Sequence, residues 1–179
     1  ELCKLLQIIY PSSNIICYEP TISLLNEARE NLKNISNVIF CQDINSIAFE
    51  SIDLLFCLEV FEHLPPKETD DALNKISKIL SSEGILVFGI PVEIGLPALY
   101  KGLFRMSRRY GAFDANFKNV FLSFIGFPPK NRPVIEITPG LNFHLEHMGF
   151  NFHRFKEHLD VRFKILNITV FFIIQFYRC

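Results

Sequence analysis

The fold of this chain is decided by the stretch Asp53-Leu54-Leu55-Phe56-Cys57-Leu58-Glu59-Val60-Phe61-Glu62-His63-Leu64-Pro65. Its first half, together with Ile52, is an apolar run whose length suits one buried strand and not a helix. The second half turns polar from Glu59 onward, and Pro65-Pro66 prevents a regular element from continuing. A buried strand that ends in ionisable side chains places them at its carboxyl end. In open α/β sheets, ligands bind at that edge.

Short apolar runs and helical stripes alternate through the first half of the chain. Strands are predicted at 14–18, 38–41, 52–58 and 85–90, and helices at 1–10, 21–32 and 67–80. This alternation favours parallel strands joined by crossover helices. Strands that are apolar throughout fit a sheet covered on both faces. We therefore predict an α/β fold with a mostly parallel sheet and helices on both faces.

The alternation stops between 91 and 140. A helix is predicted at 96–110, and a turn-rich region with several prolines follows it. This segment is too long for an ordinary connection, so we interpret it as a lid or substrate-binding insert in a single domain that comprises the 179-residue chain. After it we predict a helix capped by Asn151 and two strands, 161–166 and 168–177, that form a C-terminal antiparallel hairpin.

The run D-L-L-F-C-L-E-V-F-E-H-L-P, at 53–65, resembles the fourth-strand motif of class I S-adenosylmethionine-dependent methyltransferases. The resemblance extends from about 14 to 90 and more loosely to the C-terminus. Its E-V-x-E-H-L form is similar to that of the small-molecule and ubiquinone-biosynthesis-like branches of the family. The resemblance implies a Rossmann-like sheet, S-adenosylmethionine as the cofactor, and methyl transfer to a small molecule.

The resemblance also implies cofactor contacts at the ends of three strands. Glu19 and Pro20, in the run Y-E-P, match the position whose carboxylate accepts hydrogen bonds from the ribose hydroxyls. Asp43 matches the acid that accepts from the adenine amino group, and Ile44 would pack near the adenine ring. The methionine end would be lined by Cys57, Leu58 and Glu59. Without the resemblance, Glu19 reads as a favourable charge at a helix N-terminus and Asp43 as a turn residue.

Two histidines, His63 and His147, are the candidate catalytic residues. His147 resembles a histidine that borders the substrate cavity in some relatives, where it can act as a general base. The alternative is a structural histidine. The E-x-x-E-H run of Glu59, Glu62 and His63 either orients the loop after the strand or resembles the divalent-metal ligands of some O-methyltransferases, with His144 or His147 as a further ligand. We favour the first interpretation and predict no metal.

Composition limits the partners. The formal net charge is −1, so no global field attracts nucleic acid, and we expect a small-molecule substrate. The predicted insert helix has a basic side made of Lys101, Arg105, Arg108 and Arg109. We expect that side to be solvated, and we do not favour the alternatives, an anionic ligand or an anionic membrane surface. The five cysteines form no C-x-x-C pair, which favours a reducing compartment and a cytoplasmic protein.

The chain departs from the family at its N-terminal end. All 8 glycines follow residue 83, so the family's glycine-rich loop has no counterpart, and no strand precedes the first predicted helix. We therefore expect a sheet without its first strand and glycine-rich loop, as in an N-terminally truncated member. We also expect the chain as given to bind no cofactor. The competing class is a non-catalytic, methyltransferase-like binding protein.

Overall fold

The computed structural model describes residues 1–169 of the chain. Its helices are α1 (Leu2–Ile9), α2 (Ile22–Asn31), α3 (Pro66–Ile79), α4 (Leu96–Arg109), α5 (Phe117–Phe124) and α6 (Phe152–Asp160). Its strands are β1 (Ile15–Tyr18), β2 (Val38–Cys41), β3 (Ile52–Leu58), β4 (Leu80–Gly89), β5 (Ile135–Thr138) and β6 (Leu141–Phe143). Three short 3-10 helices lie at Ile44–Ser46, Phe61–His63 and Phe113–Ala115.

The strands of residues 1–169 pair two by two. β1 pairs with β2 and β3 with β4, both in parallel, while β5 pairs with β6 in the antiparallel direction. Within the described residues, β1 and β3 do not pair with each other. The predicted class is confirmed: a Rossmann-like α/β fold with parallel strands, helices and an antiparallel pair.

β4 begins earlier than the sequence indicated. The polar run 81–84 predicted a break before a strand at 85, but β4 continues directly from α3 and starts at Leu80. Ile52 pairs with Leu80 while Leu54 pairs with Ile85, so the polar residues form a bulge. A Cβ on Gly84 would lie 2.9 Å from the Ile52 carbonyl oxygen. The glycine therefore permits the close backbone approach that the bulge requires.

The main core lies where α3 and α6 meet the β3–β4 pair. Its buried side chains are Phe61, Leu73, Ile76, Phe150, Phe155 and Leu159. The Phe61 ring lies 5.1 Å from Phe88 of β4 and 5.0 Å from Phe155 of α6. The α6 N-terminus is capped as predicted, because the Asn151 side chain accepts from the backbone N–H groups of His153 and Arg154.

The prediction of a C-terminal hairpin at 161–177 was wrong in its first strand. Residues 161–166 form a turn and irregular backbone, and Phe163 and Ile165 pack against the main core instead of pairing with a strand. The predicted strand 168–177 lies almost entirely outside the described residues. The antiparallel pair, β5–β6, lies at the end of the predicted insert and turns through Gly140, whose φ is +81°.

The predicted insert contains a pair of helices, α4 and α5. They pack through small side chains, since Ala98 and Gly102 are buried and a Cβ on Gly102 would lie 2.5 Å from the Val120 methyl groups. By contrast, the side chain of Leu103 is 54% exposed. Small residues let the helix backbones approach closely, and the bulky residues point outward. Within residues 1–169, no helix is long and apolar enough to cross a bilayer.

The packing of α4 on α5 can be tested with a double-mutant cycle. Gly102→Ala should destabilise the protein by about 1–3 kcal/mol through overpacking. The higher helix propensity of alanine should offset up to about 1 kcal/mol of that loss. Val120→Ala removes the methyl groups that the new Cβ would meet, so the two changes should compensate with a coupling of at least about 1 kcal/mol. Urea unfolding measures the free energies. Phe121→Ala, on the exposed side of α5, is the control. If Gly102→Ala couples as strongly to Phe121→Ala as to Val120→Ala, this packing is contradicted.

Candidate active site

The carboxyl ends of β1 and β2 lie side by side. The backbone N–H of Glu19 donates to the Cys41 carbonyl over 3.0 Å, and the Gln42 side-chain amide donates to the Pro20 carbonyl over 3.2 Å. The residues that follow both strands are thereby held at one edge. The structure thus brings together four of the predicted cofactor residues, namely Glu19, Pro20, Asp43 and Ile44.

The two carboxylates at this edge accept local hydrogen bonds. Glu19 Oε1 accepts from the backbone N–H of Thr21 over 2.8 Å, and Asp43 Oδ1 accepts from the backbone N–H of Asn45 over 2.9 Å. Glu19 therefore serves the α2 N-terminus, while the Thr21 hydroxyl has no hydrogen-bond partner in the described residues. The second oxygen of each carboxylate accepts no hydrogen bond within residues 1–169, which leaves it available to a ligand.

The end of β3 presents the other predicted cofactor residues. Burial raises the pKa of the Cys57 thiol to about 12, so Cys57 is a protonated, largely apolar side chain. The exposed Glu59 has a φ of +53°, and its N–H donates to the Gly89 carbonyl over 2.7 Å. Left-handed backbone at a non-glycine residue is strained and is often found at functional sites. Ile44 and Cys57 both pack against the core around Phe61, which links the two edges.

Three side chains, one buried and two half-buried, come together near the end of β3. The 3-10 turn of Phe61–His63 places the Glu62 carboxylate in the interior, with 0% exposure. Its Oε1 lies 3.9 Å from His63 Nε2, and the His63 ring meets the His147 ring edge-on, with centroids 4.6 Å apart. One potential ligand atom from each of the three lies within 4.8 Å of the others. The two predicted catalytic histidines are thus brought together with Glu62.

The orientation of His63 is fixed by Phe143 and His144, at the end of β6. Its Nδ1 lies 2.6 Å from the His144 carbonyl, and a carbonyl only accepts, so Nδ1 carries the hydrogen. Nε2 therefore presents its lone pair toward Glu62. The backbone N–H of His144 donates back to the His63 carbonyl over 2.7 Å, and the His63 ring stacks on Phe143. The strand β6 thus holds the E-x-x-E-H run in place.

The electrostatics of the group favour proton or cation acceptance. Neither oxygen of Glu62 has a hydrogen-bond partner in the described residues, and burial raises the pKa of Glu62 to about 7. Burial lowers the pKa of His147 to about 4 and also lowers the pKa of His63. At neutral pH both imidazoles are therefore uncharged and each has one free acceptor nitrogen. With a pKa of about 7, the Glu62 carboxyl can carry or accept a proton near neutral pH, while each imidazole offers one lone pair.

The structure gives a different set of potential metal ligands from the set that the E-x-x-E-H run indicated. Glu62, His63 and His147 form the cluster, while Glu59 and His144 lie outside it. The Nδ1 of His144 donates instead to the Pro133 carbonyl over 2.8 Å. Two imidazoles and one carboxylate are a suitable donor set for a divalent transition metal.

The sequence analysis did not find Arg132, which braces this site. Its guanidinium donates to the Glu62 carbonyl over 2.7 Å and to the Glu146 carbonyl. A Cβ on Gly149 would lie 2.7 Å from the Arg132 side chain, so that glycine leaves room for the arginine. These contacts join residues 70 and 14 positions apart, and no local pattern predicts them. The neighbouring prolines at 128, 129 and 133 were the available signal for a rigid backbone here.

The prediction that the basic side of α4 is solvated was wrong for two of its four residues. Lys101 and Arg105 bind the buried Glu93 at 2.9 and 3.0 Å, whereas Arg109 binds the buried Asp114 at 2.6 Å and stays exposed. The partners lie outside the helix, at positions that α4 alone could not indicate. The fourth basic residue, Arg108, lies over the Phe104 ring.

Glu62→Gln should change how stability depends on pH. The folded-state pKa of about 7 exceeds the ordinary 4.5, so the folded protein keeps this proton to higher pH than the unfolded chain does. The stability that protonated Glu62 gives is present below about pH 4.5 and is lost as pH rises through about 7. The variant should therefore gain up to about 3 kcal/mol over the wild type between pH 4.5 and 8.

Urea unfolding at several pH values, with a chelator present, measures that difference. Glu83→Gln, on an exposed part of β4, is the matched control. If the Glu62→Gln and wild-type curves stay parallel from pH 4.5 to 8, the carboxylate is not buried without a partner.

Residues 2–88, from the start of α1 almost to the end of β4, match the family model described as a methyltransferase domain. No curated protein matches the chain. Among solved structures, it is similar to the crystal structure of a provisionally assigned type 11 methyltransferase from Sulfolobus solfataricus, with 15% identity and a TM-score of 0.43 over 79% of this chain and 72% of that chain. This likeness is too low for any property to be transferred between the two proteins. The match over residues 2–88 supports the resemblance of the chain to the class I S-adenosylmethionine-dependent methyltransferase family.

Proposed function

We propose that this protein transfers a methyl group from S-adenosylmethionine to a small-molecule acceptor in the cytoplasm. The observation that carries the proposal is the pair of carboxylates, Glu19 and Asp43, held side by side at the carboxyl edge of β1 and β2. Each has an oxygen free of hydrogen bonds in the described residues, as a ligand with hydroxyl and amino donors requires. The family match covers both strands.

The residues at this edge fit the adenosine part of the cofactor. Glu19 would accept from the ribose hydroxyls, and Asp43 from the adenine amino group, with Ile44 against the ring. Cys57, Leu58 and Glu59 would border the methionine end. When bound, the cofactor supplies an activated methyl group, and the protein chiefly holds the acceptor in line with it.

The buried group beside this edge supports a role in acceptor chemistry. His147 is uncharged at neutral pH, so it can take the proton of an attacking hydroxyl or amine. Glu62 and His63 would position it. His147 comes from the segment after β6, and its neighbour His144 binds His63. The insert and the residues that follow it would therefore determine which acceptor is used, while the cofactor edge is formed by earlier strands.

Glu19 is the most direct test of cofactor binding. In a chain extended upstream by a strand and a glycine-rich loop, Glu19→Ala should weaken S-adenosylhomocysteine binding by about 1–3 kcal/mol, because a charged hydrogen-bond partner is lost. Calorimetric titration measures the dissociation constant, and Glu27→Ala, in the exposed part of α2, is the matched control. An unchanged dissociation constant in the folded Glu19 variant would remove this residue from the site.

Methyl transfer itself is assayed with labelled S-adenosylmethionine and a panel of small hydroxyl and amine acceptors. Methylation of at least one acceptor supports the proposal. A protein that binds S-adenosylhomocysteine but methylates none would favour the non-catalytic binding protein as the function.

A metal-assisted O-methyltransferase is the second candidate. It is favoured by one observation, the buried and unpartnered Glu62 carboxylate within 4.8 Å of ligand atoms of His63 and His147. A divalent ion there would compensate the buried charge of Glu62. It would also lower the pKa of an acceptor hydroxyl, which increases the fraction of the nucleophilic alkoxide.

The two candidates differ in their response to a chelator. On the first proposal, dialysis against a chelator should leave methyl transfer unchanged, because the proton acceptor is an imidazole. Activity that is lost on chelation and restored by Mn²⁺, Fe²⁺ or Mg²⁺ would establish the second candidate. In that case Glu62→Gln should abolish the metal-induced rise in melting temperature, and His153→Asn, on the exposed side of α6, should not.

A further inference from the structure

The outer face of α4 carries its bulkiest apolar side chains. Leu96, Tyr100, Leu103 and Phe104 are between 54% and 73% exposed, whereas Ala98 is fully buried. The exposed residues recur at helical spacing, so they form one continuous stripe. A soluble helix normally places its large apolar residues inward. Here the small residues pack toward α5, and the large ones are more than half exposed.

α5 carries a second exposed stripe. Phe117, Phe121 and Ile125 recur every four residues and are between 45% and 64% exposed. The rings of Phe117 and Phe121 stack with their centroids 6.2 Å apart, and Phe127 follows the helix with 71% exposure. Exposed apolar groups of this extent mark a surface that contacts a protein or a membrane.

The charge of the α4–α5 pair distinguishes between a protein partner and a membrane. From α4 to the end of α5 there are five basic residues and one acid. That acid, Asp114, and Glu93 just before α4 are buried and ion-paired, so three positive charges remain in excess. Arg108 and Lys118 are exposed and form no ion pair in the described residues, and neither helix exposes an acid.

We propose that the α4–α5 pair docks on an anionic lipid surface. α4 would lie in the plane of the interface, with Leu96, Tyr100, Leu103 and Phe104 in the acyl boundary. Arg108 would reach the headgroup phosphates, since long basic side chains bury their stems and keep their charge in water. A helix of 14 residues is about 21 Å long, which suits a surface position and not a spanning one.

A second copy of the chain fits this face less well. Symmetric self-association places the same patch against itself. The positive excess of one α4–α5 pair would then oppose that of its partner, with no exposed acid on either helix to compensate it. An anionic bilayer supplies both the apolar layer and the opposite charge. Unlike the expectation of a solvated face, this assignment accounts for the apolar stripe as well as the basic residues.

Vesicle sedimentation tests the apolar part of the proposal. The chain should bind vesicles of phosphatidylglycerol and phosphatidylcholine more tightly than vesicles of phosphatidylcholine alone. Leu103→Ser/Phe104→Ser should weaken that binding at least about tenfold, because two side chains leave the acyl boundary. Phe49→Ser/Val161→Ser, which removes two exposed apolar residues outside the insert, should leave it unchanged. Circular dichroism confirms that the variants fold.

A separate pair of double variants tests how much the basic residues contribute to vesicle binding. Arg108→Gln/Lys118→Gln should weaken binding to the anionic vesicles by about 25-fold, about fivefold for each basic residue. Lys75→Gln/Lys78→Gln, on exposed parts of α3, should have no comparable effect. The proposal is overturned if the wild type binds neither vesicle, or if all four double variants bind alike. It is also overturned if sedimentation velocity without lipid shows a dimer that Leu103→Ser/Phe104→Ser dissociates.

Discussion

The burial of Phe61 is the interaction on which the site depends. Its ring contacts both Phe88 of β4 and Phe155 of α6, which also contact each other, so three rings join the parallel pair to α6. Phe61 also begins the 3-10 turn after β3, which turns Glu62 into the interior. Burying a phenylalanine stabilises by about 1.5–3 kcal/mol. Raising the pKa of Glu62 from 4.5 to about 7 costs about 3 kcal/mol at neutral pH. The two terms are of similar size, so a buried carboxyl is tolerable here only beside an anchor of this kind.

The second constraint is the return of the chain to this turn after the insert. His63 and His144 exchange two hydrogen bonds, and Arg132 donates to the carbonyl of Glu62. These contacts satisfy polar groups of a turn that forms no sheet ladder. They also bring His147 to within reach of Glu62. The chemistry of the site is thus assembled from one early segment and one late segment, and each holds the other in position.

Most helices and strands in the first half of the chain could be predicted from the local sequence pattern. β3 was predicted at its observed bounds because the apolar residues of 52–58, interrupted only by Asp53, suit a single strand and are too few for a helix. The Asn151 cap of α6 was also predictable, since a cap involves only its own next residues. The bulge in β4 was not, because it depends on Gly84 meeting the backbone of Ile52 across the strand pair. The strand expected at 161–166 failed for a similar reason. An apolar run packs against whichever surface is near, and here that surface was the core.

In the site, the sequence predicted the residue types but not their pairing. His63 and His147 were candidates from the motif, whereas the burial of Glu62 and the brace from Arg132 depend on contacts between distant segments. The role of each cofactor residue stays a prediction, because the structure fixes the positions of Glu19 and Asp43 and not their ligand. The basic side of α4 illustrates the same limit. Periodicity placed four cations on one helix but gave no information on Glu93, which lies before it.

Glu93 connects the insert helix to the buried group electrostatically. Burial alone would raise its pKa, but the hydrogen bonds and charges of Arg105 and Lys101 hold the pKa of Glu93 below its ordinary value. It is therefore ionised, and its charge contributes to the raised pKa of Glu62 and opposes the effect of burial on His147. Both cations belong to α4. Any shift of that helix relative to Glu93 would alter the charge that faces Glu62 and His147. The position of α4 and the protonation of the site are therefore physically coupled through one ion-paired carboxylate.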